Sequence, residues 1–516
     1  MEGQSADIKR VFKNTVFLYA RMLIVMAVSL YTVRVILSAL GAEDYGIYNV
    51  VGGIVVMFSF LSRTLASASQ RYFAFELGRK DLTQLNKVFC ITILLYVIVI
   101  TIIVLLSETV GLWFLESKMT IPEERLNAAF WIYQFSILSF CFILLMTPYQ
   151  AILIAREDMN VYAIVGVLEA ILYMVVALII KRVSYDRLIS YGFLMMCVSI
   201  AVNSIYYLYA RAKYAESKFR KYWDRNLVLE MSSYSGWNIF GALANIARSQ
   251  GINILINVFF NPTINAARGL AYQVSGTINS FASNFYTAVR PQVTKQYAAG
   301  NVEETNNLVF SSSKLSYYLI LIFALPIIVF VHPILSVWLV DVPQYTELFV
   351  TLVIIVALID SLSNPLMTLV QATGRVKVYQ LIVSSMLIMN LPISWFLLHK
   401  GFPAEATMYT AILISGILLF LRIYILKRMI MFPAKEYYTQ ILFRVLLSTV
   451  IGLIYVYVIR ILLYSYALDS VWVLFLVLTL SVIGCAFLII ICGLNKQERL
   501  IVLSFVRKKL GINDSL

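Results

Sequence analysis

Apolar runs of about twenty residues, set off by short polar breaks, recur along the whole chain. They predict membrane-spanning helices near 14–37, 46–69, 88–115, 126–154, 161–180, 188–210, 227–259, 264–289, 307–331, 346–372, 376–398, 404–426, 437–462 and 471–493. A stretch such as VWVLFLVLTLSVIGCAFLIIICG is too long and too apolar for the core of a soluble domain. The expected fold is an all-α polytopic membrane protein of about 14 transmembrane helices. The opening MEGQSADIKRVFKN is polar and basic, and no short apolar region with a cleavage site precedes the first run. The first helix is therefore expected to be retained.

The pattern also repeats. ASQRYFAFELGRKD (Ala68 to Asp81) is matched by RPQVTKQYAAGN (Arg290 to Asn301) at an offset near 222, and Gly46 pairs with Gly269 at nearly the same offset. Six runs precede the basic linker RAKYAESKFRKYWDRN and six follow it, so the two copies share one orientation. The expected organisation is two pseudo-symmetric six-helix lobes, 1–222 with its linker and 223–435. An accessory helix pair with a basic tail follows over 436–516.

Composition narrows the partners. The chain is 61% hydrophobic and 13% charged, with a net charge of +14. With the N-terminus inside, 27 Lys and Arg fall in cytoplasmic segments and seven in outer loops: Lys118, Arg125, Lys181, Arg182, Arg187, Lys400 and Arg460. This asymmetry predicts both termini in the cytoplasm of a multi-pass membrane protein. Topology and anionic membrane lipid account for the charge, and no nucleic-acid partner is expected. The outer loops are mostly under about fifteen residues, which leaves no room for a catalytic domain, so no enzyme activity is expected. No phosphate-binding loop of the nucleotide-hydrolysing type occurs, and no cofactor is expected. The spacing of Cys90, Cys141, Cys197, Cys485 and Cys492 suggests neither metal nor disulfide. His332 and His399 lie far apart near outer helix ends and suggest no metal.

Six arginines lie within or beside the apolar runs: Arg21, Arg34, Arg63, Arg71, Arg248 and Arg268. A charge at mid-bilayer costs roughly 2.5–3.5 kcal/mol on insertion scales, so these side chains must face water, protein or an anionic ligand. They fall on the first and second helix of each lobe. On the second helix Ser59, Arg63, Ser67 and Gln70 form one polar stripe, with Arg71 beside it. On the eighth, Arg268, Tyr272, Ser275, Asn279 and Tyr286 do the same. On the seventh, Asn238, Asn245 and Ser249 share a register with Arg248 alongside. A pseudo-twofold would bring these stripes around one cationic cavity suited to phosphate, which arginine binds bidentately. Arg21, Arg63, Arg248 and Arg268 are the expected substrate-binding residues, with Arg71, Gln70, Tyr272 and Asn279 as further candidates. The opposing reading is pairing with a helix carbonyl or a counter-ion. The acids deep in the spans, Glu169 and Asp360, are candidates both for ion coupling and for the counter-ion role. Prolines 148, 326, 365 and 392 within spans predict kinks.

The run TVRVILSALGAEDYGIYNVVGGI places Arg34, Leu40-Gly41, Glu43-Asp44, Tyr45-Gly46 and Tyr48 in the order typical of polysaccharide-exporting flippases. QATGRVK, Gln371 to Lys377, is similar to their Gln-x-x-Gly-[Arg/Lys] turn. Over essentially its whole length the chain resembles the O-antigen flippase (Wzx-type) branch of the multidrug/oligosaccharidyl-lipid/polysaccharide exporter superfamily. The resemblance implies a V-shaped bundle of two six-helix lobes in the bacterial inner membrane. It implies translocation of undecaprenyl-pyrophosphate-linked oligosaccharide, with cationic residues of the first, second, seventh and eighth helices on the pyrophosphate or acidic sugars. Implied partners are the lipid-linked glycan, membrane lipid, other polysaccharide-assembly membrane proteins, and a proton or sodium counter-ion unless the membrane potential alone drives transport.

Two alternatives remain. The final helix pair resembles the extra pair of lipid II flippases, whereas many O-antigen flippases have only twelve helices. A cation-coupled multidrug antiporter of the same superfold would need an acidic cavity, typically with a carboxylate on the first helix, where this chain has Arg21 and no Asp or Glu.

Overall fold

The computed structural model describes residues 2–56, 58–118, 122–260, 262–339, 342–462, 471–495 and 498–499. Among them every regular element is helical. The long helices are α1 (Glu2–Val56), α2 (Ser59–Arg79), α3 (Leu82–Leu106), α4 (Leu126–Arg156), α5 (Met159–Ile180), α6 (Arg187–Lys213) and α7 (Arg225–Phe259). They continue with α8 (Pro262–Ala298), α9 (Val302–Val329), α10 (Thr346–Thr373), α11 (Lys377–His399), α12 (Ala406–Ile430), α13 (Phe443–Leu462) and α14 (Val471–Leu488).

Eleven helices among the described residues are long and apolar enough to cross a membrane, so the chain is a multi-pass membrane protein. The expected fourteen is not reached on that measure. The three expected spans that fall short lie on α1, α2 and α8, where Arg21, Arg63, Arg71 and Arg268 sit. α1 also carries a shorter apolar stretch among the described residues, Asn14–Ser29. The expected span 46–69 is not one helix: the end of α1 and the start of α2 share it, with a turn at Phe58 between them, and the polar stripes of α2 and α8 lower their hydropathy.

Capping explains many of the boundaries. Asp81 Oδ1 accepts from Gln84 N (2.8 Å) at the start of α3. Asp186 Oδ1 accepts from Leu188 N and Ile189 N at the start of α6, and Asp224 does the same for α7. α2 and α4 end in left-handed residues, Lys80 and Glu157. Pro148, Pro326 and Pro365 sit inside helices, and α11 is interrupted at Met389, where Pro392 can offer no N–H to Ile388.

The chain folds as two compact units. The first comprises Met1–Leu243, Thr287–Thr305 and Gln371–Gln380. In it α1 packs along α5, and α4 packs against α6 and α2. Ile132, Tyr133 and Leu144 are fully buried with Val51 and Leu188. Tyr133 donates to Ser107 O (2.8 Å), a carbonyl in the wide turn that follows α3.

Loops expected on one face of the membrane meet at one end of this unit. Arg125 bridges Asp44 (2.8 Å) and Asp186 (2.7 Å), and Arg187 reaches Ala39 O (3.3 Å) beside the break in α1 at Gly41. Loops expected on the opposite face meet each other as well. Arg156 pairs with Glu216, Lys213 pairs with Asp158 (2.8 Å), and Asn86 donates to Glu216 O and Lys218 O. Burial and the Asp158 hydrogen bond push the Tyr214 hydroxyl well above its usual range.

The second unit comprises Ala244–Tyr286, Asn306–Val370 and Leu381–Leu516. Here α13 lies along α9 through Tyr317–Thr449 (2.8 Å) and Tyr318–Ser448 (3.2 Å), and Tyr318 also donates to Gly493 O. Lys314 of α9, 1% exposed, donates to Glu498 Oε2 at 2.6 Å, and Asn495 N donates to the same oxygen. The outward faces of α13 and α14 are apolar: Leu446, Ile454, Trp472 and Phe475 are all exposed. That is an aggregation hazard in water and ordinary for a helix in lipid. The tail beyond Arg499 and Lys496 lie outside the described residues.

Candidate functional site

In the first unit, Arg21 projects from α1 onto α5. Its guanidinium lies 4.4 Å from the centroid of the Tyr162 ring, and Tyr162 in turn neighbours Tyr206. A Cβ at Gly166 would stand 2.0 Å from Arg21 Nε, so only glycine leaves room for the guanidinium there. Arg21 Nε is buried with no hydrogen-bond partner. Glu169, one turn further along α5, accepts from Tyr173 (3.1 Å) and does not pair with Arg21.

On α2 the expected stripe is real but divided in its contacts. Arg63 is exposed and donates to Ser59 Oγ (3.2 Å). Ser67 accepts from Arg290 (2.8 Å), and Gln70 is half-buried. Arg71 points elsewhere. Its Nε donates to Gln371 O (3.1 Å) and its Nη2 to Ala372 O (3.0 Å), with Tyr72, Phe75 and Tyr234 against its face. This is the carbonyl-paired alternative, and its acceptors are the last turn of α10 and the QATGRVK turn. The side chain of Arg34 lies outside the described residues.

In the second unit, Arg268 is 4% exposed. It donates to Asn253 Oδ1 and to the Tyr272 hydroxyl (3.3 Å), and lies 4.5 Å over the Tyr272 ring. Its Nε is buried and unpartnered, and Arg248 is near enough to add like-charge repulsion. Asn279 donates to Ser275 O and Oγ. Tyr286 donates to Ser361 O, beside Asp360 on α10. Among the described residues none of Arg21, Arg63, Arg248 and Arg268 pairs with a carboxylate, and neither Glu169 nor Asp360 serves as a counter-ion.

Sequence reasoning did not reveal a network at one end of the first unit. Glu157 accepts from Gln292 (2.6 Å) and pairs with Lys295, while Asn238 accepts from Gln371 (3.4 Å) and Gln380 (3.1 Å). Most of these residues follow no periodicity. The duplicated motif was the available signal, since Gln292 and Lys295 belong to its second copy. Among the described residues no three His, Cys, Asp or Glu side chains gather to hold a metal ion.

This geometry sits on a known fold. The MatE family model matches residues 252–396. None of the curated proteins matches the chain. A MATE crystal structure in the bent conformation superposes with a TM-score of 0.71 at 15% identity, covering 84% of this chain and 99% of its own. The Vibrio cholerae MATE transporter VcmN gives 0.68 at 16%, covering 84% and 100%. A superfamily transporter of Pyrococcus furiosus, described as having a binding pocket of reverse polarity that suggests a different function, gives 0.67 at 14%, covering 82% and 97%. The fold of this chain is therefore the one these MATE structures share.

Proposed function

We propose that the chain is a flippase for a pyrophosphate-linked oligosaccharide on a polyprenyl lipid, moved from the inner to the outer face of a bacterial inner membrane. The observation that carries this reading is the state of Arg21 and Arg268. Each lies in an expected span against a tyrosine ring, and each has a buried Nε without a hydrogen-bond partner. Guanidinium donors left unfilled and unneutralised match the oxygens of a diphosphate. Arg63 and Arg248 add positive charge, while Gln70, Asn279 and Tyr272 supply amide and ring surface for sugars. Transport needs no covalent step, only a headgroup site offered to each side in turn. Glu169 and Asp360 are the candidates for proton or sodium coupling. Other polysaccharide-assembly membrane proteins would supply and receive the lipid-linked glycan.

A second reading, a cation-coupled multidrug exporter, is favoured by the MatE match and by the names of the similar structures. Against it, the span 14–37 carries Arg21 and Arg34 and no acid, so a cationic drug would meet like charge. The Pyrococcus furiosus transporter supports the view that pocket polarity on this fold is not fixed. A lipid II flippase is a close variant, to which the α13–α14 pair would suit.

The test is binding of undecaprenyl-pyrophosphate-oligosaccharide to purified protein and to an Arg63→Gln, Arg268→Gln double variant with matched unfolding temperature. A loss of more than tenfold, about 1.4 kcal/mol, is expected. Undiminished binding by the variant would make these arginines structural. Uptake of organic cations with no lipid binding would establish the multidrug reading instead.

A further inference from the structure

One carboxyl group belongs neither to the arginine sites nor to any ion pair described above. Glu76, near the end of α2 and beyond the expected span 46–69, is 6% exposed, and its Oε2 is buried with no hydrogen-bond partner. Its charged neighbours are Arg79, Asp81, Arg71 and Glu230. Glu230, on α7, accepts from the Tyr72 hydroxyl at 3.3 Å.

Around Glu76 the end of α2 grips two distant segments of the same unit. Arg71 holds the carbonyls of Gln371 and Ala372, and Tyr234 also reaches Gln371 O at 3.4 Å. Gly78 presses on the end of α8: a Cβ there would stand 2.4 Å from Lys295 O and 2.8 Å from Ala298 Cβ. Gly78 and Ala298 belong to the two copies of the duplicated motif, so the copies touch at this point. Lys295 and Gln292 then engage Glu157, whose side chain is 0% exposed.

We infer that Glu76 is a proton-binding site that controls this grip, protonated when segments 287–305 and 371–380 are held and ionised when they are released. A carboxylate with one oxygen buried away from any donor is costly, and protonation relieves that cost. Burial is the largest cause pushing the Glu76 carboxyl above its ordinary range, and the Asp81 and Glu230 charges push the same way against Arg79 and Arg71. In the held state Arg71 directs its Nε and Nη2 donors at Gln371 and Ala372. Once those carbonyls leave, Arg71 can turn to Glu76 and favour its ionised form. The held state therefore binds the extra proton. That preference is fully present below the carboxyl's ordinary range and is lost as pH rises through the raised pKa of the held state. The inference does not depend on what the protein carries.

The test uses the full chain in lipid nanodiscs, with the native cysteines replaced and spin labels at Leu82→Cys and Val302→Cys. These exposed positions open α3 and α9 just after the two copies of the motif. Between about pH 5 and about pH 9, a range that brackets documented buried glutamates, the short-distance population is expected to fall as pH rises. Glu76→Gln should hold the short distance at every pH. Glu230→Gln, which removes a like charge from an exposed position, should move the midpoint to lower pH. A distance distribution independent of pH in the parent protein would overturn the inference. So would a Glu76→Gln protein that keeps the parent's pH dependence. If Glu76→Gln does not fold, the Glu230→Gln midpoint decides alone: an unmoved midpoint sinks the proposal.

Discussion

Arg71 Nε donates to the backbone carbonyl of Gln371 at 3.1 Å, although 300 positions separate the two residues. An arginine on a polar helix stripe thus satisfies carbonyls at the C-terminus of another helix, where the orphan acceptors and the negative end of the dipole both favour a cation. Arg71→Lys keeps the charge and loses the fork. Hydrogen bonds to charged groups contribute about 1.5–3 kcal/mol, so a loss of this order is expected, with a lower unfolding temperature. An unchanged unfolding temperature would show that the clamp contributes nothing to stability.

Gly166→Ala should displace the Arg21 guanidinium from the Tyr162 ring, since the new Cβ would stand 2.0 Å from Nε. The clash is with the end of a flexible side chain, so the unfolding temperature should change little. Affinity for the lipid-linked glycan should fall several-fold in the same binding assay. Wild-type affinity in the variant would remove Arg21 from the proposed site.

The Glu157–Lys295 pair should respond asymmetrically. Glu157 is fully buried, whereas the Lys295 side chain is 19% exposed. Lys295→Met removes the counter-charge of a buried carboxylate that keeps its Gln292 bond and should cost about 3 kcal/mol or more; Glu157→Gln leaves a lysine that water can reach and should cost less. Thermal unfolding of the two variants checks the order, and the reverse order would contradict it.

Sidedness is open to direct labelling. A cysteine at exposed Lys181 should react with an impermeant maleimide in intact cells, and one at exposed Lys218 only after permeabilisation. The opposite pattern would invert the topology read from the basic residues.

The helices were legible because twenty apolar residues is a signal that little else produces. The register of Arg63 with Ser59, and of Arg268 with Tyr272, was legible from helical spacing alone, and each pair is in contact. The Arg71 acceptors were not legible, because a carbonyl at a helix end has no side-chain signature. Glu76 was overlooked for a related reason. An acid one turn from a helix end, among Arg79, Lys80 and Asp81, looks solvated in sequence, yet the fold leaves it 6% exposed.

Lys314 lies on α9, but its partner Glu498 is 184 residues further along. At translation rates of about 5–20 residues per second, the lysine waits roughly 10–40 s for its counter-charge. Throughout that interval the position that ends up 1% exposed has no Glu498 to meet its charge. Biogenesis of the second unit is therefore necessarily late: its interior is neutralised only when the last helix pair has been inserted and the chain beyond it folds back.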